Sequence, residues 1–423
     1  MQRGSIIMSI ELYKEALKFF PGGVNSPVRA KVRPHPLFVS KAKGSRIFTE
    51  EGFELIDYIM GYGPLILGHS NEYVLEAVKN NVVNGWLYGN QTKFELELAR
   101  KITKYYPSIE KLRFVNSGAE AVTTAIRLAR GYTGRKEIIM FDGCYHGAVD
   151  SLMVKEEGGE VVPYSHGVPE ELMRLTHVCQ FNDPSCVESI TKNREIAAIV
   201  VEPVMANVGV VLPEKDFLRD LYKIASENGS LLILDEVVTG FRLSLGGAQQ
   251  YFNVKAHITT LGKIIGGGFP AAAIGAKKEI MDFLTPSGRV FNAGTFNAHP
   301  ISMVAGLYTI EVLERLNPYH EMRKITEELV SDLRKILEER GLKFAVNQIE
   351  SMFQVFLDVK EVKNAIEARK ANNDKYIKLA EEMVKRGILI PPVNTETWFV
   401  SLAHTLDDIE ITIKTLKKAS EVI

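Results

Sequence analysis

Apolar positions along this chain fall into two textures. Between about residues 51 and 315, short runs that are apolar at every position alternate with stretches of helical period. The runs 112–115, 138–141, 197–201 and 231–234 read as strands. Runs with no polar alternation suit a sheet covered on both faces. Helices are predicted over 119–130, where Val122, Ile126 and Ala129 form one stripe, and over 214–226. This alternation predicts an α/β fold with a large, doubly wound, mainly parallel sheet.

After about residue 316 the texture changes. Long charged amphipathic segments, 322–341 and 375–386, flank short strand candidates at 353–357 and 398–402, and the chain closes on a helix over 406–423. A smaller α+β domain is expected over 316–423. The first 50 residues read as a helix (11–20), broken by Pro21-Gly22-Gly23, and an irregular arm that joins the smaller domain and the site.

Composition narrows the functional classes. A chain of 423 residues exceeds what one core usually supports, in line with two lobes. The 51 basic and 52 acidic residues give no electrostatic case for nucleic acid or an anionic membrane. No apolar run approaches a membrane span. Ile6, Ile7 and Met8 are followed at once by Glu11, Lys14 and Glu15, a poor signal peptide. Three cysteines (Cys144, Cys179, Cys186) in odd number and without CxxC spacing predict no disulfide framework and a reducing, cytoplasmic setting. The histidines show no metal-ligand spacing, so no metal is expected.

Three segments carry candidate chemistry. In Thr259-Thr260-Leu261-Gly262-Lys263-Ile264-Ile265-Gly266-Gly267-Gly268, one lysine stands in apolar, glycine-rich surroundings. Desolvation there favours the neutral amine that Schiff-base chemistry needs. A surface lysine beside a flexible loop meets the same pattern. In Leu231-Leu232-Ile233-Leu234-Asp235-Glu236, a buried strand runs into two carboxylates. Strand alternation puts Asp235 on the face of Ile233; it is placed to pair with a pyridinium nitrogen, or to cap a helix. In Phe114-Val115-Asn116-Ser117-Gly118-Ala119-Glu120, a strand ends and a helix begins. Ser117, Gly118 and Ala119 can aim N–H groups at a phosphate, or simply cap the helix. Tyr145, in the loop Asp142-Gly143-Cys144-Tyr145-His146-Gly147, is a candidate platform for a flat ring. Each group lies just beyond a strand of one predicted sheet, where open α/β sheets bind ligands.

Together these segments resemble the fold-type-I pyridoxal-phosphate enzymes of the class-III aminotransferase branch. Within it the chain is similar to the glutamate-1-semialdehyde aminomutase family. The marks are Pro21-Gly22-Gly23-Val24-Asn25-Ser26-Pro27-Val28-Arg29, Gly63-Pro64-Leu65-Ile66-Leu67-Gly68-His69, Gly240-Phe241-Arg242-Leu243-Ser244-Leu245-Gly246-Gly247-Ala248-Gln249 and Ser401-Leu402-Ala403-His404-Thr405. The resemblance implies pyridoxal 5'-phosphate and pyridoxamine 5'-phosphate as cofactor forms. Lys263 is then the Schiff-base lysine and Asp235 the pyridinium partner. Ser117, Gly118 and Ala119 hold the phosphate, and Tyr145 stacks on the ring. Asn207 and Glu202 lie near the ring hydroxyl and the substrate, and Glu396 lies near the reacting amine. Ser26 and Arg29 grip the substrate carboxylate. Thr295 reaches the phosphate held by a partner subunit, which implies a homodimer with shared sites.

The implied reaction moves an amino group within a small-molecule substrate, glutamate-1-semialdehyde, through a diamino intermediate. It yields 5-aminolevulinate for tetrapyrrole synthesis, and Lys263, once free, moves protons as general base and acid. A contact with the enzyme that supplies the semialdehyde is also expected. An ω-aminotransferase or an amino-acid racemase with the same cofactor is the alternative, and a non-catalytic binding protein on the same fold is the reading from another class. Four segments depart from the family pattern: Tyr62 replaces the usual Trp, Asn297-Ala298-His299-Pro300 replaces Ser-Gly-Asn-Pro, the surroundings of Glu396 differ, and the expected mobile cover, 155–169, is atypical. These departures bear on substrate preference and leave the cofactor machinery intact.

Overall fold

The computed structural model describes residues 6–423. Its strands, in chain order, are β1 to β3 (Val39–Lys43, Arg46–Thr49, Glu54–Asp57), β4 (Lys111–Val115), β5 (Glu137–Phe141), β6 and β7 (Val154–Glu157, Glu160–Pro163), β8 (Thr176–Cys179), β9 (Ile196–Val201), β10 (Leu231–Glu236), β11 (Ile258–Leu261), β12 (Ala272–Ala276), β13 and β14 (Phe344–Ile349, Met352–Leu357), and the short β15 and β16 (Ile388–Leu389, Trp398–Phe399).

Seven strands form the central sheet, in the order β4-β12-β11-β10-β9-β5-β8. Only β12 runs against the others. Every residue of β9 and β10 is buried, because helices cover both faces. Alternation divides β10 between two cores. Leu231 and Ile233 pack with the helix Gly118–Thr133, and Leu232 and Leu234 pack on the opposite side with the helix Phe217–Glu227. The α/β reading is therefore correct, with a mixed, mainly parallel sheet.

The C-terminal part builds β13-β14-β16, backed by the helices Tyr319–Glu339, Asn373–Lys385 and Leu406–Ala419. A further sheet joins β1 to β3 with β15, so the two ends of the chain meet: Ile388 pairs with Ile56 and Leu389 with Asp57. The first helix runs Ile6–Phe19 and starts earlier than the pattern predicts.

One expectation is overturned. Cys179 and Cys186 form a disulfide, and Cys144 is the buried free thiol. An odd count excludes pairing of all three, but it does not prevent one local pair. The end of β8 and the start of the helix Pro184–Asn193 bring these two together across a tight turn with Asn182 at φ +68°. Among the described residues, no helix is long and apolar enough to cross a membrane.

Candidate active site

Five parallel strands of the central sheet end on one edge. Each delivers a chemistry-bearing residue: Ser117 after β4, Tyr145 after β5, Glu202 after β9, Asp235 on β10 and Lys263 after β11. A cavity of about 560 Å³ opens there. Its wall includes Ser117, Gly118, Ala119, Tyr145, Glu202, Asn207, Asp235 and Lys263, eight of the twelve residues singled out from sequence.

At one end lies the start of the helix Gly118–Thr133. Ser117 Oγ accepts from the Glu120 N–H at 3.2 Å. Helix geometry leaves the Gly118 and Ala119 N–H groups facing out of the helix end. The loop 145–147 presses close here, since a Cβ on Gly147 would lie 2.6 Å from Ala119 Cβ. An anionic group fits this end by charge and by hydrogen bonding.

Asp235 sits at the floor. Oδ1 accepts from Thr260 Oγ1 (3.0 Å) and from the Val237 N–H (3.1 Å), while Oδ2 pairs with His146 Nδ1 at 2.7 Å. Those contacts hold a buried carboxylate in one orientation. Glu236 points to the other face. It accepts from Thr239 Oγ1, the N–H groups of Ala248 and Gln249, and Gln249 Nε2. Of the two carboxylates, Glu236 takes the helix-capping task and Asp235 faces the cavity.

Lys263 lies beside Asp235 at the cavity wall. Burial lowers its pKa, and the carboxylates of Glu396, Glu202 and Asp235 oppose that shift. Glu202 accepts from the Tyr145 N–H at 2.8 Å and from Asn207 Nδ2 at 3.4 Å. Its carboxyl is pushed up to about 7, chiefly by burial. Glu396 is also raised by burial, with Lys263 pulling it back. Glu396 is therefore close to Lys263 electrostatically, although it is not part of the cavity wall. Tyr145 stands 57% exposed at the mouth.

Three residues named from sequence stand apart. Ser26 and the exposed Arg29 lie on the N-terminal arm, with Arg29 near enough to act on Tyr62. Thr295 is exposed on the loop 291–297, which reaches the helix start through Asn116 Nδ2 to Asn297 Oδ1, 3.3 Å. The segment expected as a mobile cover contains most of the β6–β7 hairpin, whose turn is Gly158-Gly159; none of its residues forms the cavity wall.

Two functional candidates were missed. His146 is buried, pairs with Asp235 and leaves Nε2 without a partner among the described residues. Its place directly after Tyr145 was the available signal. Arg242, a lone charge in an apolar motif, is buried as well.

A pyridine ring carrying a phosphate fits these residues. The helix end takes the anion, Asp235 faces the cavity as a fixed acceptor, and Lys263 is a half-buried lysine within the same wall. Among the described residues, no His, Cys, Asp and Glu cluster suited to a metal ion occurs.

Residues 28–419 match the family model described as aminotransferase class-III. The chain is 53% identical to a glutamate-1-semialdehyde 2,1-aminomutase of Ignicoccus hospitalis, over 98% of this chain and 99% of that protein. It is 52% identical to the protein of the same name from Hyperthermus butylicus, over 97% and 98%. Among solved structures, an omega-transaminase from Sphaerobacter thermophilus superposes with a TM-score of 0.92 at 30% identity, covering 99% of this chain and 98% of that one. A glutamate-1-semialdehyde-aminomutase from Pseudomonas aeruginosa PAO1 shares the fold with a TM-score of 0.89 at 24% identity, over 99% and 95%. With a half-buried lysine and a fixed aspartate at one sheet edge, and with the family model matched from residue 28 to 419, the chain belongs to the class-III aminotransferase family.

Proposed function

We propose that this chain is a pyridoxal-phosphate-dependent aminomutase that converts glutamate-1-semialdehyde to 5-aminolevulinate, the precursor of tetrapyrroles. The observation that carries the reading is the convergence of Lys263, Asp235 and the Gly118 helix end on one cavity, in a chain whose near full-length relatives bear that enzyme's name.

When bound, the cofactor supplies an electron-withdrawing ring and an amine that can be exchanged with the substrate. The chain's own residues do the rest. Ser117, Gly118 and Ala119 would hold the phosphate. Asp235, oriented by His146 and Thr260, would pair with the ring nitrogen and keep it protonated. Tyr145 would cover the ring, and Asn207 with Glu202 would face its hydroxyl edge. Lys263 would bond the cofactor and, when free, would move protons between substrate carbon and nitrogen. Glu396, coupled electrostatically to Lys263, would act near that amine. Ser26 and Arg29 anchor the substrate carboxylate, with Arg29 offering a bidentate fork.

The same reading makes the working unit a homodimer in the cytoplasm, with Thr295 serving the partner's phosphate. The lone disulfide is compatible with this setting if the source is a hyperthermophile, where intracellular disulfides occur. A reactive α-amino aldehyde also favours direct hand-over from the enzyme that makes it.

The deciding test is product analysis with purified protein and glutamate-1-semialdehyde alone. Formation of 5-aminolevulinate with no second amino donor or acceptor is expected. A strict requirement for a keto acid would assign the chain to the ω-aminotransferases instead.

A further inference from the structure

The Lys263 amine has a backbone acceptor that the family marks do not reveal. Nζ donates to the Tyr62 carbonyl at 2.6 Å. That carbonyl belongs to an unusual loop. Met60, Gly61, Tyr62 and Gly63 all have positive φ, at 48°, 65°, 64° and 111°. Two of the four are not glycine, and such residues stay left-handed only when their surroundings enforce it.

The enforcing contacts come from both sides. Asp57 Oδ1 accepts from the N–H groups of Ile59 (2.7 Å) and Met60 (3.3 Å), and His69 Nε2 pairs with Oδ2 at 2.8 Å. At the other end stands Arg242, fully buried and without a carboxylate partner among the described residues. Its Nη2 donates to the Gly63 carbonyl. Its Nη1 donates to Ser351 Oγ (3.2 Å) and to the Val400 carbonyl (3.3 Å), and its guanidinium lies 5.1 Å from the centre of the Phe399 ring. Nε has no partner among the described residues. A buried cation held mainly by neutral oxygens is costly. Its placement ties the Gly63 peptide to the C-terminal sheet. A side chain at Gly63 would be strained by its φ of 111° and tightly placed, since a Cβ there would lie 3.2 Å from Phe399 Cζ and 3.5 Å from Lys263 Cδ.

We infer that Arg242 is a positioning residue, which locks the Gly63 peptide so that the adjoining Tyr62 carbonyl cradles the Lys263 amine whenever that amine is not covalently engaged. The inference rests on the reading of Lys263 as the cofactor lysine. Its chemical sense follows from the cycle. An aminomutase must keep its lysine free and well placed while the amine travels through the substrate, then return it to the same bond. The charged groups acting on Lys263 are Glu396, Glu202, Asp235 and Arg242, of which only Arg242 opposes protonation of the amine.

The test uses the full-length chain stripped of cofactor, as wild type, Arg242→Met, Arg242→Lys and Ser351→Ala. Trace acetic anhydride and mass spectrometry give the pH midpoint of Lys263 acetylation. Pyridoxal phosphate with borohydride trapping gives the rate of covalent attachment. Arg242→Met should move the midpoint up by about one pH unit, because a nearby cation is removed. Arg242→Lys keeps the charge and should hold the midpoint near wild type. Both should slow attachment about tenfold, because an ammonium cannot reproduce the fork that holds three oxygens. A purely structural arginine would lower the melting temperature while leaving midpoint and attachment rate unchanged in the folded fraction, and that result overturns the inference. If neither Arg242 variant folds, Ser351→Ala decides: slowing of about threefold supports it, and an unchanged rate overturns it. Trapping of another lysine in the wild type would overturn the reading of Lys263 itself, a separate and recognisable outcome.

Discussion

Glu202 shows what the site costs at the scale of one residue. Its carboxyl, ordinarily near 4.5, is pushed up to about 7, first by burial and next by the neighbouring Asp235; His146 and the Tyr145 N–H pull the other way. The native state therefore holds a proton that the unfolded state has lost. Stability falls as pH rises from about 4.5 through about 7, and is level on either side. Glu202→Gln removes this penalty and should gain on wild type across that window, by an upper limit of roughly 3 kcal/mol. Melting curves at pH 5 and pH 8 check it, and an equal difference at both would sink the idea. The same substitution loses an acceptor for Asn207 or Tyr145, so activity should drop while stability at pH 8 rises. His146 and Arg242 explain why the site was only partly legible. Lys263, Asp235 and Ser117 each end an apolar run or begin a helix, and that can be read locally. His146 acquires its meaning from Asp235, 89 residues away, and Arg242 from Gly63, 179 away.

Single elements were legible where their period is complete. Strand β10 carries its alternation through to Asp235 and Glu236, and the structure gives the two carboxylates opposite faces. Different losses should follow. Asp235→Asn should remove most activity and leave the melting temperature near wild type. Glu236→Gln leaves buried N–H donors short of an acceptor, at about 1–3 kcal/mol, and should melt early while its folded fraction turns over normally. Reversed phenotypes would mean that the two faces are misassigned. By contrast, β15 is two residues long, and the β6–β7 strands carry Lys155, Glu156 and Glu157 in succession; neither has a period to read. The Cys179–Cys186 link was missed for a related reason, since parity of cysteines says nothing about which two are near. It closes a short loop between β8 and the helix that follows. Cys186→Ser should lower stability by about 2–3 kcal/mol, seen as an earlier melt that reductant reproduces in the wild type. If reductant leaves the wild-type melt unmoved, the link contributes nothing.

At the scale of the whole molecule, the site is built from distant parts of the chain. Arg369, on the helix Ala365–Lys370, forks onto both oxygens of Asp142 at 2.7 and 2.8 Å and so ties the C-terminal part to the loop that carries Tyr145. The proposed homodimer would add one further component from outside the single chain. Several large apolar side chains are exposed: Phe269, which lines the cavity, is 40% exposed, and Phe291 and Phe296, on either side of Thr295 in the sequence, are 66% and 54% exposed. Val83 and Trp86, at the end of the helix Glu72–Val82, are exposed as well. The proposed dimer would bury such side chains against a second copy and set Thr295 at a partner's phosphate. The proposed dimer therefore couples assembly to the site. Phe296→Asp sets a charge into that face and should shift the protein to monomers in sedimentation at micromolar concentration. Activity and retained cofactor should fall together with the dimer fraction, and both should recover as protein concentration is raised. Thr295→Val should leave the dimer intact and weaken cofactor retention alone, by about the 1 kcal/mol of one hydrogen bond. A monomeric Phe296→Asp protein with undiminished activity would show that each chain completes its own site, and Thr295 would lose its proposed role.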